Sequence, residues 1–258
     1  MNNKLQTLIN NNNIIISKIG LGTVKFGRNT QVKYPKSFEL PSDKEVIELL
    51  ELAFELGINT IDTAPAYGSS QERLGRLMPY DREKWTIISK AGEEFKNNKS
   101  YYDFSANNIN SSLDNTLKTL KTDYIDIFLI HSDGNDLDIA KNDKLWKLLQ
   151  DRKSQGDIKA FGVSSKTTDG GLACLKKSDV AMIELNDDYT ELLDFAKNNN
   201  KNIILKKVFN SGHLNNNYSI KDAYLKSFEH SAVNSAVIGT INNEHLKQNV
   251  RNYLNLFN

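Results

Sequence analysis

Short apolar runs and amphipathic stretches take turns along this chain. Lys18 to Thr23, Asn59 to Asp62, Trp85 to Lys90, Tyr124 to His131, Ala160 to Ser164, Val180 to Leu185, Asn202 to Lys207 and Ala236 to Gly239 read as eight strands. Between them apolar residues recur every three or four positions. Val46, Leu49, Leu50, Ala53 and Phe54 form one such stripe, Ile109, Leu113, Leu117 and Leu120 a second, and Leu246, Val250, Tyr253 and Leu254 a third. Ser42 with Glu45 spells a capping box at the start of the first helix, Gly57 follows that helix, and Gly156 closes the one around Leu145, Leu148 and Leu149. Runs such as Ile125 to Ile130 suit parallel strands buried on both faces. Eight βα units close best on themselves, which predicts an α/β fold, a (β/α)8 TIM barrel, with residues 1–258 as one domain. An open doubly wound sheet is the weaker alternative.

Two segments exceed ordinary connection length, Phe26 to Pro41 and Glu93 to Ser105. Each follows the C-terminal end of a strand and is expected to overhang a site there. The first carries Arg28, Lys33, Tyr34 and Phe38; the second carries Phe95, Tyr101, Tyr102 and Phe104. Asn10 to Asn13 and Asn215 to Asn217 read as turns or mobile tips. The chain stops shortly after its last helical stripe, so a rather open pocket is expected.

Composition narrows the function. The 258 residues are 39% hydrophobic and carry a formal net charge of +1, enough for a sizeable core and without a global pull toward nucleic acid or anionic membrane. A small-molecule partner is expected. Cys174 stands alone, which excludes an intramolecular disulfide and a multi-cysteine metal site and reads as an apolar filler in a cytoplasmic protein. No signal peptide or membrane-spanning run is legible.

The chemistry gathers where apolar strands stop. Asp62, Lys90 and His131 close three successive strands, and Tyr67 follows Asp62 by five positions. In a parallel barrel those ends share one rim, the place of the active site. A lysine at the end of an apolar strand needs a counter-ion, and Asp62 is the natural one. A positive Lys90 beside the phenol is expected to lower the Tyr67 pKa, making Tyr67 a general acid near neutral pH. His131 is expected to bond the same substrate oxygen, as a neutral donor or within a proton relay. Such a pocket suits hydride addition to a carbonyl, with the hydride drawn from a cofactor. Taken singly each residue has a plainer account, as a cap, a solvated strand end or a packed core residue; taken together they point to an enzyme.

At these residues the chain resembles the aldo-keto reductases. The likeness is carried by Gly20-Leu21-Gly22-Thr23, Gly57 through Gly68, Ser89-Lys90, Asp123 through His131, Gly162-Val163-Ser164, and Gly239-Thr240 with Asn249. It is nearest to bacterial members whose substrate is often unassigned. The resemblance implies a barrel, reduction of an aldehyde or ketone with NADPH (NADH being the other possible donor) or the reverse reaction, and Asp62, Tyr67, Lys90 and His131 as catalytic residues. For the cofactor it implies Gly22, Thr23, Ser164, Ser165, Met182, Lys206, Lys207, Ser211, Gly212, Leu214, Gly239, Thr240, His245, Gln248 and Asn249, with no metal. The sequence departs from the family pattern here: Ser165 and Met182 replace an Asn and a Gln that clamp the nicotinamide carboxamide, and His245 replaces a frequent Arg on the 2′-phosphate. Lys206-Lys207 stands where many members stack an aromatic ring. Strand alternation sends these lysines to opposite sides, so one at most is expected to meet the pyrophosphate or an acidic substrate. Two other functions compete: a nucleotide-binding regulatory protein with little turnover, and a lyase using Lys90 as a Schiff-base nucleophile.

Overall fold

A computed structural model describes residues 5–9, 13–184, 189–212 and 219–257. In chain order its elements are β1 (Gln6–Ile9), β2 (Ile14–Ser17), β3 (Ile19–Gly22), α1 (Val24–Gly27), α2 (Asp43–Glu55), β4 (Thr60–Asp62), α3 (Ser70–Leu77), β5 (Thr86–Ala91), β6 (Glu93–Lys96), β7 (Lys99–Tyr102), α4 (Ala106–Leu120), β8 (Ile125–His131), α5 (Asp136–Lys141), α6 (Asp143–Gln155), β9 (Ile158–Ser164), α7 (Thr168–Leu175), β10 (Val180–Ile183), α8 (Thr190–Asn198), β11 (Asn202–Leu205), α9 (Ile220–Phe228), β12 (Val233–Ile238) and α10 (Asn243–Phe257). The strands β3, β4, β5, β8, β9, β10, β11 and β12 pair in parallel in that order, and β12 pairs back onto β3, closing a (β/α)8 barrel. All eight strand readings fall on barrel strands, although β10 stops at Ile183 and β11 at Leu205, short of the expected ends. Leu185 lies outside the described residues.

The helices form for the reasons legible in their stripes. Ser42 and Glu45 complete the capping box of α2, which turns Val46, Leu49, Leu50 and Ala53 inward. Gly156 ends α6 at φ 91, a left-handed conformation that costs glycine least. Outside the strands these stripes join an outer apolar layer; inside, Ile88, Ile127, Leu129, Ala160, Val180, Met182, Ile204 and Val237 fill the barrel. Cys174 is buried in the outer layer, as a filler should be.

Two antiparallel hairpins escaped the sequence reading. The first, β1 with β2, sets Ile9, Ile14 and Ile16 against the interior cluster and seals the barrel base. Its three inward isoleucines are one alternating face of a strand pair, masked in the sequence by the asparagines between them. The second, β6 with β7, occupies the expected loop Glu93 to Ser105. No helix among the described residues is long and apolar enough to cross a membrane.

Close strand packing makes one position intolerant. A Cβ on Gly162 would sit 1.7 Å from the Val180 carbonyl oxygen, where backbone cannot give way. Gly162→Ala is expected to lose about 3 kcal/mol or more, at the upper end for overpacking, read as a lower urea midpoint.

Candidate active site

Adjacent strands deliver the rim residues to one place. Asp62 ends β4, Lys90 is the fifth residue of β5, and His131 ends β8. Tyr67 arrives from a 3-10 turn, Pro65–Tyr67, opened by a proline and followed by Gly68 at φ 62. Lys90 is 1% exposed and Asp62 5%. The Lys90 ammonium donates to Asp62 Oδ1, to the Thr63 carbonyl at 3.2 Å and to Tyr67 Oη at 3.1 Å. Tyr67 Oη in turn donates to Asp62 Oδ2 at 3.4 Å. Three acceptors occupy the three N–H bonds of Lys90, leaving it no lone pair aimed at a substrate, an arrangement opposed to Schiff-base chemistry.

The electrostatics differ from the expectation in one respect. Tyr67 is not acidified: burial, then the negative charges of Asp62 and Glu93, hold its phenol well above the ordinary tyrosine value. The sequence reading weighed the nearby cation and overlooked both desolvation and a second carboxylate. Lys90 is itself lowered by burial, with Asp62 and Glu93 opposing.

Glu93 is the residue the sequence reading missed. It opens β6, and its Oε2 lies 2.8 Å from His131 Nδ1, off the axis of a well-aligned ring N–H bond. Ser100 donates to its other oxygen at 2.6 Å. Burial pushes the Glu93 carboxyl up, but His131, Ser100 and the more distant Arg28 together bring it down to about 2. Burial lowers His131, outweighing Glu93, with Lys90 and Lys206 adding to the fall. At neutral pH the pair therefore rests as a carboxylate and a neutral ring. The carboxylate favours the ring proton on Nδ1, leaving Nε2 as an acceptor. That tautomer suits the relay role, whereas a neutral-donor role needs the ring proton on Nε2.

The residues expected at a cofactor divide into three groups. Ser164, Ser165 and Lys206 come together: Lys206 Nζ donates to Ser164 Oγ and to the Ser165 carbonyl, both at 2.8 Å. Ser165 Oγ is buried with no partner among the described residues and faces Gly171 of α7, away from the mouth, so of the two serines Ser164 is the one whose hydroxyl lines the site. Gly239 and Thr240 lie where β12 meets α10, with Asn242 capping α10 through a bond from the His245 amide at 2.9 Å, and Asn249 is buried further along that helix. His245 is exposed, and exposed Gln248 bonds Asn252 at 3.0 Å. The third group makes contacts within the protein. Buried Thr23 donates to the Asp62 carbonyl and accepts from Ser70, tying β3 to β4 beside Gly22. Met182 packs in the barrel interior, and Lys207 turns outward to Glu184 at 2.6 Å. Gly212 lies beside Pro35, while Leu214 and the Ser211 side chain fall outside the described residues.

The two overhanging segments meet as a roof. The Arg28 guanidinium stacks 3.3 Å from the Phe95 ring centroid and donates to the Ala66 carbonyl, while Thr30 donates to Asn98 at 3.0 Å. Tyr34 reaches the far side of the mouth, its hydroxyl 3.0 Å from where a Cβ on Gly239 would stand. The mouth is thus bridged rather than open, because the roof comes from the first loop.

A closed parallel barrel with ionisable groups collected on its C-terminal rim defines an enzyme of the TIM-barrel class. Residues 18–231 match the model of the Aldo/keto reductase family, and the chain belongs to that family of oxidoreductases. A solved aldo-keto reductase structure from Pseudomonas aeruginosa is 40% identical, covering 98% of this chain and 96% of that one with a TM-score of 0.89. The holo form of an aldo-keto reductase from Bacillus halodurans shares the fold, at 19% identity and a TM-score of 0.79 over 96% of this chain and 90% of that one. Among curated relatives, a D-threo-aldose 1-dehydrogenase from a Pseudomonas species is 28% identical over 69% of this chain and 63% of its own length. An aldo-keto reductase of Bacillus subtilis is 32% identical over 62% and 46%. The chain spans about half to under two thirds of the length of these two curated relatives.

Proposed function

We propose that this protein reduces a small aldehyde or ketone with hydride from a nicotinamide, NADPH before NADH, and that Tyr67 supplies the proton. The observation that carries the reading is the 3.1 Å contact between the Lys90 ammonium and Tyr67 Oη, with Asp62 holding both. The Ser164 hydroxyl at the mouth and polar groups along the first two turns of α10 fit a dinucleotide: Ser164 for the nicotinamide carboxamide, Gly239, Thr240 and Asn249 for the adenosine half. A bound nicotinamide supplies hydride to the carbonyl carbon.

The chain's own residues do the rest. As the carbonyl oxygen gains charge, Tyr67 turns its proton from Asp62 Oδ2 to that oxygen, so the O–H bond of the phenol breaks as the O–H bond of the alcohol forms. Lys90 keeps its bond to the phenolate left behind and stabilises it where water is scarce. Asp62 fixes Lys90, and the Glu93–His131 pair offers Nε2 as an acceptor for returning a proton to Tyr67 from solvent. The phenol's high pKa costs acidity but keeps Tyr67 protonated through the neutral range, and transfer to an alkoxide remains downhill.

Mixing the protein with NADPH or NADH and a panel of aldehydes, while following nicotinamide absorbance, tests the reading. Turnover faster with NADPH is expected. Tight NADPH binding with no turnover on any carbonyl would instead support the regulatory function.

A further inference from the structure

We propose that Lys206 is an anion-recognition point of the barrel mouth, and that the carbonyl substrates of this enzyme carry a carboxylate. This rests on the carbonyl-reducing reading of the same mouth and specifies its substrate class.

The argument starts from charge pairing. Lys90 contacts Asp62, His131 faces Glu93 at 2.8 Å, and Lys207 donates to Glu184 at 2.6 Å. Lys206 sits among them with neutral acceptors only, Ser164 Oγ and the Ser165 carbonyl, and no carboxylate contacts it among the described residues. Two of its three N–H bonds are spent; the third is free for a ligand. A half-buried ammonium without a counter-ion is costly to hold, and an incoming anion recovers that cost.

Register places the charge beside the reacting groups. Ser164, which Lys206 grips, pairs with His131 across β8 and β9. The ammonium therefore lies one strand from the imidazole, and its field reaches both His131 and Lys90. In this proposal the anion belongs to the molecule whose carbonyl meets Tyr67, because the nicotinamide carboxamide assigned to Ser164 is neutral and leaves the charge of the ammonium unmatched. Arg28 in the roof bonds backbone carbonyls at Ala66, Thr30 and Gln31, and the carboxylate that acts on its charge is Glu93.

The titration of Lys206 supports the same assignment. Burial first, then Lys207 and Lys90, lowers its pKa to about 7, with Asp136 and Glu184 opposing and His131 facing it from β8. A carboxylate is held best while the ammonium keeps its proton, so binding weakens as pH rises through 7, and the bound anion moves that midpoint upward.

Phenylglyoxylate and its methyl ester offer the same ketone with and without the charge. Calorimetric titration of wild type, Lys206→Met and Lys206→Arg with each, below and above pH 7, reads recognition without needing turnover. Wild type is expected to bind the acid at least about tenfold tighter than the ester, as one charge-assisted hydrogen bond allows. Lys206→Met should lose that preference and Lys206→Arg keep it, with the preference of wild type falling above pH 7. Equal binding of acid and ester by wild type, or an unchanged preference in Lys206→Met, overturns the proposal. So does a Lys206→Met variant whose only loss is affinity for NADPH, which would assign the ammonium to a cofactor phosphate. An acid preference without reduction of any carbonyl would keep the anion site and refute the reductase reading instead.

Discussion

Tyr67→Phe lowers kcat for carbonyl reduction by about 10²- to 10⁴-fold, the range set by a positioned general acid, while NADPH affinity changes little. The substitution removes one oxygen and leaves the ring and the turn Pro65–Tyr67 in place. Lys90 and Asp62 each lose a partner at that oxygen, yet keep each other. The pH profile separates a proton donor from a packing residue. Burial and two carboxylates hold Tyr67 above the ordinary value, so the wild-type enzyme keeps its acid form through the neutral and mildly alkaline range. Reduction should run level there. Alcohol oxidation needs the phenolate, whose fraction grows about tenfold per pH unit below the pKa, and so should climb with pH. In Tyr67→Phe that climb should vanish. Stopped-flow single turnovers measure both directions, and a variant with wild-type rates would remove the phenol from the mechanism.

Asp62→Asn is expected to destabilise the fold by about 3–5 kcal/mol, as removal of one partner from a buried ion pair does. Lys90, 1% exposed, is left with the Thr63 carbonyl and Tyr67 and has no carboxylate in contact. The pH dependence of the deficit identifies the cause. Burial already lowers the Lys90 pKa against Asp62's opposition; without that carboxylate it falls further below its unfolded value. The unfolded chain then binds more protons than the folded one, so the stability of the variant rises with pH toward the ordinary lysine value of about 10.4. Urea midpoints at pH 7 and 9 show whether it does. Joining Asp62→Leu to Lys90→Met removes both charges together and should recover much of the loss, because neither is left uncompensated. A pH-independent deficit would mean that Asp62 acts through shape alone.

The barrel was legible in the sequence because most of its strands, such as β5 and β8, read as buried apolar-rich runs and the longer helices α2, α4 and α10 each show one stripe. The rim residues were legible for a related reason: an ionisable group ending an apolar run is conspicuous. Glu93 was not. It stands in a charged stretch, Glu93-Glu94, that reads as solvated surface, and only the hairpin β6–β7 turns it toward His131. Burial above all, then Asp62 and the missed acid, reversed the expected direction for Tyr67; pairwise reasoning along neighbouring strands weighs the cation one strand away and leaves out both desolvation and a carboxylate folded over from a loop. Lys206 and Lys207 do take different partners, but strand alternation is not the cause: β11 ends at Leu205 and Lys207 adopts φ 55, a left-handed conformation that turns it away from its neighbour. The β1–β2 hairpin was hidden by its short strands and the asparagines between them in the sequence.

That hairpin has an electrical consequence. With isoleucine filling the base, the barrel becomes a cup of low polarisability whose lines of force leave through a single opening. The unpaired ammonium proposed at Lys206 would then project its field outward through the brim instead of through the floor. A hydrophobic plug at one pole thereby tunes encounter rates at the other.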